Sequence, residues 1–276
     1  AAATGYLGGA VLAVGALQAL APGESRDTLL SGIASGGIRA AVVSDGFRLE
    51  RGRLSGSAQF VPDAAAADRL LVLATTTTDQ PVLVDAAGLT VTPQPVIDET
   101  RYLATVSADD VTVPEAAVLR FDGDPQAARQ ALRDRAAVAV ACDSLGLGQA
   151  MLDATVSYVK VRNQFGRAIG SFQAVKHACA DMMVSLAVSR QLVGAAVDAL
   201  AIGTDAGVPA SMAKAHTCAA AVEIAGKAMQ LHGGIGYTWE SGIHVYLKRA
   251  ALNRSLFGSP AAHRHRLAER YRSRSY

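Results

Sequence analysis

Half of the 276 residues are hydrophobic, enough for one large or two medium cores. A formal net charge of +2 is too small to recruit a nucleic acid or a membrane surface, and neither is expected as a partner. Cys142, Cys179 and Cys218 form no CxxC pair and the histidines no HExxH pattern, which excludes a metal centre of the common kinds.

The chain opens with an apolar helical stretch over 10–20. Its hydrophobic run from Gly8 to Ala21 is interrupted by Gln18, is shorter than the roughly 20 residues that cross a bilayer and follows no basic leader. Neither a spanning segment nor a signal peptide is expected. The cysteines, set in Ala/Val-rich helical context, read as small buried hydrophobes and favour the cytoplasm. Pro22-Gly23 breaks the first helix, and a second ends near "SGGIRA", so an N-terminal helical segment is set at 1–45.

Over 46–120 the texture changes. "FRLERGRLSGSAQFVPDA", "RLLVLATT", "PVLVDAAGLTVTPQ" and "RYLATVSADDVTVP" are β-rich runs punctuated by Gly, Pro and Asp, the pattern of a small all-β module. From 121 to 276 helical periodicity takes over. Val140, Leu147, Met151, Ala154 and Tyr158 form one stripe; Val175, Cys179, Met182, Leu186, Val193 and Val197 a second; Met212, Ala215, Ala219, Val222 and Met229 a third. Three such helices joined by short turns imply an antiparallel four-helix bundle, closed by a helix beginning near Ser241. The basic run "HRHRLAERYRSR" at 263–274 reads as a solvated terminal helix. Alanine-rich faces too broad for one subunit to cover predict oligomerisation. The expected class is α+β multidomain.

Two stretches carry chemistry. "YVKVRNQFGRAIGSFQAVKH" (158–177) gathers Arg162, Phe165, Gly166 and Gln173 in one corner between helices. A guanidinium fork suits a diphosphate and a nearby ring can cover a purine, although an ordinary helix–helix turn would look similar. "QLHGGIGYTWE" (230–240) places adjacent glycines, Gly233 and Gly234, after an alanine-rich helix, where either a helix C-cap or a closely approaching ligand would call for them.

These two stretches, with "GRLSGSAQFVPDAAAADRLLVLA" upstream, resemble the motifs of acyl-CoA dehydrogenases, and the likeness covers most of 50–270. The resemblance implies a helical N-terminal domain, a middle β domain and a C-terminal four-helix bundle. It implies FAD, whose adenosine diphosphate part would meet Arg162, Phe165, Gln230, Gly233 and Gly234 across a subunit interface, with Gln173 beside them. It also implies α,β-desaturation of an acyl-CoA thioester, in which a carboxylate takes the α-proton and the β-hydrogen leaves as hydride. Electrons would then pass to an electron-transfer flavoprotein or another acceptor.

The chain departs from the pattern at the base. One family location falls on Phe257 in "SLFGSP" and the other on Ala136 in "RDRAAVAV"; neither is a carboxylate. Glu240 is the candidate elsewhere, with Asp143 and Asp153 weaker. The resemblance extends to actinobacterial α2β2 enzymes acting on steroid side chains, in which only one subunit type supplies the glutamate. "RAAVVSDGFRLERGRLSG" also lacks the Glu-Pro-then-Gly-Ser run that precedes the flavin-ring strand, and the N-terminal helical part is shorter than the family's. The expectation is a base-less subunit working on a bulky, fatty or steroid-derived acyl-CoA beside a second, dehydrogenase-like subunit. The alternatives are a self-sufficient homotetramer using Glu240 and a flavin-free CoA-thioester-binding subunit. Lys248 and Arg249 read as surface cations.

Overall fold

The structure, a computed structural model, describes residues 5–272. The chain divides into two compact units, residues 1–136 and 137–276.

In the first unit the early apolar stretch winds as a π-helix over Tyr6–Ala13 and continues as α1 (Val14–Gln18). Asp63 satisfies one of the unpaired donors at its start, accepting from the Gly8 N–H at 2.8 Å. The second expected helix is α2 (Glu24–Ala34), and the chain leaves it through Gly36 at φ +75.

The β module consists of β1 (Ala40–Glu50), β2 (Arg53–Pro62), β3 (Arg69–Thr76), β4 (Pro81–Ala86), β5 (Thr90–Gln94), β6 (Leu103–Thr112) and β7 (Val118–Leu119). They form one seven-stranded sheet in the order β5-β6-β2-β1-β3-β4-β7. Every pairing is antiparallel except β1 with β3, so the sheet is mixed. β1 starts at Ala40, ahead of the boundary expected at 46. Ala40–Val43 is buried without interruption and so shows none of the period-2 alternation by which a half-exposed strand is recognised. Val43, Leu54, Val72, Val84 and Val106 form the centre of this unit's core.

The second unit holds most of α3 (Pro125–Val161), then a short hairpin of β8 (Asn163–Gln164) and β9 (Arg167–Ala168), α4 (Gln173–Ile202), α5 (Gly207–His232), α6 (Ile243–Ser255) and α7 (Pro260–Arg272). Met151, Leu186, Ile224, Met229 and Ile243 join α3, α4, α5 and α6 in one apolar cluster. Val138, Val193, Ala210 and Ala213 form a second. The sequence stripes supply these contacts, although Ala154, Val197 and Met212 are exposed.

α5 is buried along most of its length. α4 is not: Met183, Val184, Val188 and Val197 are exposed along it. Beside α5, residues of α4, α5 and α7, Met212, His216, Glu223 and Arg264 among them, line a groove of about 370 Å³. By length and composition alone α4 is long and apolar enough to cross a bilayer, a test that helices of soluble proteins also pass. Only Cys218 is buried; Cys179 is partly exposed and Cys142 exposed, so the cysteines are not uniformly core residues. α7 is largely solvated as expected, yet its His263 is 1% exposed.

Candidate functional site

The C-terminal ends of α3 and α5 meet. The Tyr158 ring stacks on His232 with centroids 4.4 Å apart, and its hydroxyl donates to the His232 carbonyl at 3.4 Å. Arg162 stands one helical turn beyond Tyr158, and Gly233 directly follows His232. The Arg162 main chain is held at both sides, its N–H donating to Tyr158 O at 2.9 Å and its carbonyl accepting from Ile169 N at 2.8 Å. Its side chain is exposed, and among the described residues it has no ion pair or side-chain hydrogen bond.

Phe165 and Gly166 form the two-residue turn of the β8–β9 hairpin, at φ +52 and +77. A turn of this hand is ordinarily made by Asn-Gly, because a ring-bearing residue at positive φ is strained. The strained Phe165 is nevertheless 92% exposed and packs only edge-on to Phe172, with centroids 6.2 Å apart. Arg167 lies 4.1 Å over the other ring of that pair, Phe172.

The glycines after α5 have three different explanations. Gly233 sits at φ 63, ψ −144, a region essentially closed to other residues, and its N–H donates to Gln230 O. This is not the left-handed Schellman cap. Gly236 packs on the last turn of α5, where an added Cβ would lie 2.8 Å from Met229 O and 3.1 Å from His232 Cβ. Gly234 has neither reason: its φ is not positive, and an added Cβ would meet nothing within 4 Å.

Beyond the glycines, Trp239 is 74% exposed, with His244 edge-on at 4.6 Å and the Lys248 ammonium over its ring at 4.9 Å. Lys248 is therefore half-buried against an aromatic face rather than simply solvated. Glu240 is exposed in the turn Trp239–Ser241. Gln230 closes the last turn of α5 and Gln173 opens α4; both are exposed, without side-chain hydrogen bonds among the described residues.

The two family positions for a base are apolar in three dimensions as well. Ala136 is 3% exposed. Phe257 lies half-buried in the turn between α6 and α7. Behind that turn runs a buried polar network that the stripes did not reveal. Lys214 on α5 is 0% exposed and donates from Nζ to the carbonyls of Asn253 at 2.9 Å and Arg254 at 3.2 Å. Burial pushes its pKa down. His263 Nε2 donates to the Phe257 carbonyl at 3.0 Å, and its Nδ1 accepts from Ser211 Oγ at 3.2 Å. Burial lowers its pKa to about 4.

Arg249, expected at the surface, is buried and pairs with Asp143 on α3 at 2.9 Å; Asn253 Nδ2 donates to the same carboxylate at 2.6 Å. Asp143 is thus committed to a structural pair. Asp153 is exposed and accepts from Gln149 Nε2 at 2.9 Å. The signal for Lys214 was present in the sequence: it falls on the stripe Ala210, Lys214, Cys218, Ala221, where every other member is small and buried.

The profile of the acyl-CoA dehydrogenase C-terminal domain matches residues 126–271, more than half of the chain. The chain belongs to the acyl-CoA dehydrogenase family. Acyl-CoA dehydrogenase IpdE2 of Mycolicibacterium smegmatis is 38% identical over 178 residues, which are 64% of this chain and 52% of that protein. The ChsE4–ChsE5 complex from Mycobacterium tuberculosis superposes with a TM-score of 0.88 at 25% identity, over 97% of this chain and 75% of that one. A variant of the Tcur3481–Tcur3483 steroid ACAD gives 0.85 at 29% identity, over 95% and 74%. The chain spans about half the length of these curated relatives. As acyl-CoA dehydrogenase folds do, it combines a mixed-sheet unit with a C-terminal helical one, which is the class read from the sequence.

Proposed function

We propose that this chain is the base-less subunit of a flavin-dependent acyl-CoA dehydrogenase and grips FAD across a subunit interface with the corner at Arg162, Phe165 and Gly233–Gly234. Gly234 is the observation that carries the reading. A glycine that neither its own conformation nor any neighbour requires leaves main chain open to a ligand outside the chain, here at the helix end beside Arg162. The unpartnered Arg162 guanidinium suits the diphosphate, and the strained, exposed Phe165 ring suits the face of a base. Gln230 would donate at the edge of the same site, with Gln173 beside it.

Bound FAD would supply the hydride acceptor for the β-hydrogen. The α-proton needs a carboxylate in a dry pocket. This chain puts Ala136 and Phe257 at the family positions, and its Glu240 is exposed, so the base is assigned to a second, dehydrogenase-like subunit. The open apolar residues of α4 fit a protein partner better than lipid, because the same helix carries Asp181, Arg190 and Asp198. The named steroid and ChsE4–ChsE5 relatives favour a heteromer and a bulky, ring-bearing acyl group. The electron acceptor would be an electron-transfer flavoprotein or a similar carrier.

The test is co-expression with a candidate partner dehydrogenase subunit, followed by a visible spectrum and anaerobic addition of acyl-CoA. A yellow complex that bleaches, with Glu240→Gln turning over within twofold of the parent, is expected. A complex that stays colourless, or one that loses its turnover on Glu240→Gln, would overturn the reading.

A further inference from the structure

α5 is covered on most sides, and what it leaves open is a narrow strip. Met212, His216, Ala219 and Glu223 follow one another at steps of four, three and four residues, which sets them on one face of the helix. That face is the floor of the groove of about 370 Å³, walled by Leu192 on α4 and Leu267 on α7. Ala215 and Ala219 carry only a methyl group beyond the main chain, so the middle of the floor is low and apolar.

The polar groups stand at the two ends. Arg264 follows His263, which is tied to Ser211 at the beginning of the strip, so the guanidinium enters the groove at the same end as His216. Glu223 lies two helical turns past His216, about 10 Å along α5. Arg264 and Glu223 are exposed and have no ion pair among the described residues. His216 Nε2 is shielded from water and has no hydrogen-bond partner among them. A shielded ring nitrogen left unpaired is uncommon in a folded chain, and a group supplied from outside would account for it. The ring is half-buried, and a turn about χ2, whose preference is weak, offers a nitrogen to the groove.

Size separates the occupants such a groove could take. A stable protein contact buries about 800 Å² on each partner, more than two turns of one helix supply. The groove volume instead falls at the lower end of the range of about 300–1,000 Å³ that small ligands fill. One end offers a cation and an imidazole, the middle offers apolar surface, and the far end is negative. That order complements a molecule with one carboxylate and one apolar tail.

We propose that this groove binds a free monocarboxylic acid with a medium-length apolar tail. Arg264 and His216 hold the carboxylate, the tail lies over Ala215 and Ala219 between Leu192 and Leu267, and Glu223 turns away ligands that carry a second negative charge. The assignment goes beyond the reading given under Proposed function and does not depend on flavin binding.

The experiment uses the full chain and calorimetric titration with octanoate, octanol and suberate, which share a tail length and differ in charge. Octanoate should bind at a single site, with octanol and suberate each weaker by about tenfold or more. Arg264→Ala and His216→Leu should each lower octanoate affinity about tenfold or more and leave octanol unchanged. Glu223→Gln should bring suberate to within about threefold of octanoate. If His216→Leu does not fold, Arg264→Ala decides, because that side chain is exposed and holds no other element. A parent that does not bind octanoate, one that binds octanol as tightly, or variants that match the parent for all three probes would overturn the assignment. Suberate affinity that Glu223→Gln leaves unchanged would overturn the role given to Glu223.

Discussion

Three alanine substitutions within four residues separate the reasons for the glycines after α5. Gly233→Ala forces a Cβ into φ 63, ψ −144, a region that costs on the order of 1–3 kcal/mol for a non-glycine residue. Gly236→Ala puts its methyl 2.8 Å from the Met229 carbonyl oxygen, a main-chain atom that cannot swing aside, and overpacking of this kind costs about 1–3 kcal/mol. Both should lower the melting temperature by several degrees, since about 1 kcal/mol corresponds to roughly 2–4 °C in a chain approaching this size. Gly234→Ala meets nothing within 4 Å and needs no positive φ, so the substitution should be neutral or stabilising by up to about 1 kcal/mol through the unfolded chain. Its effect should fall on the cofactor: a tenfold or greater loss of flavin affinity, about 1.4 kcal/mol, read as flavin absorbance per complex and by titration of the deflavinated complex. Stability and flavin binding would thus part company at a single position. Wild-type flavin affinity in Gly234→Ala would refute the inference from open space to ligand, whatever happened at the other two glycines.

Arg162→Ala should leave the melting temperature unchanged, because the side chain is exposed and unpartnered among the described residues, while flavin affinity falls roughly 10- to 100-fold for the loss of a charge-assisted hydrogen bond; an unchanged titration curve would count against the corner. Arg249→Leu strips Asp143 of its buried cation and should cost about 3 kcal/mol in urea unfolding, and a loss under 1 kcal/mol would show the pair to be incidental. His263 ties stability to pH. Its folded pKa of about 4 lies below the ordinary 6.5, so between these values the unfolded chain binds the proton more readily. The contribution is present above pH 6.5 and is lost as pH falls toward 4, by about 3 kcal/mol in all. Urea unfolding at pH 7 and pH 4.5 should therefore show a larger drop for the parent than for His263→Gln, and equal drops would sink the assignment.

Much of the fold was legible because it follows from local pattern. The β-rich runs became the end of β1 and β2 to β6, and the three apolar stripes became the cores shared by α3, α4 and α5. The motif residues Arg162, Gln230 and Gly233–Gly234 lie at ends of helices, where a break in periodicity marks them. The misreadings share one cause: residues whose setting is made by another element. Ala40–Val43 hid the start of β1 because both faces are covered, and Cys142 looked buried because an Ala/Val run leads up to it, although it is exposed. Arg249 looked like a surface cation because nothing near it in sequence announces Asp143, 106 positions away.

By itself, then, the order of residues determined which segments are helices and strands, the absence of a carboxylate at 136 and 257, and the family to which the motifs point, since all of these depend on residue type and short-range spacing. Only the folded bundle decided that Tyr158 and His232 bring two helix ends together, that Gly234 alone of the three glycines is required neither by its backbone conformation nor by a close neighbour, and that Lys214 and His263 lie behind the turn at Phe257. Those are matters of distance between segments far apart in the chain, which periodicity along one segment does not encode.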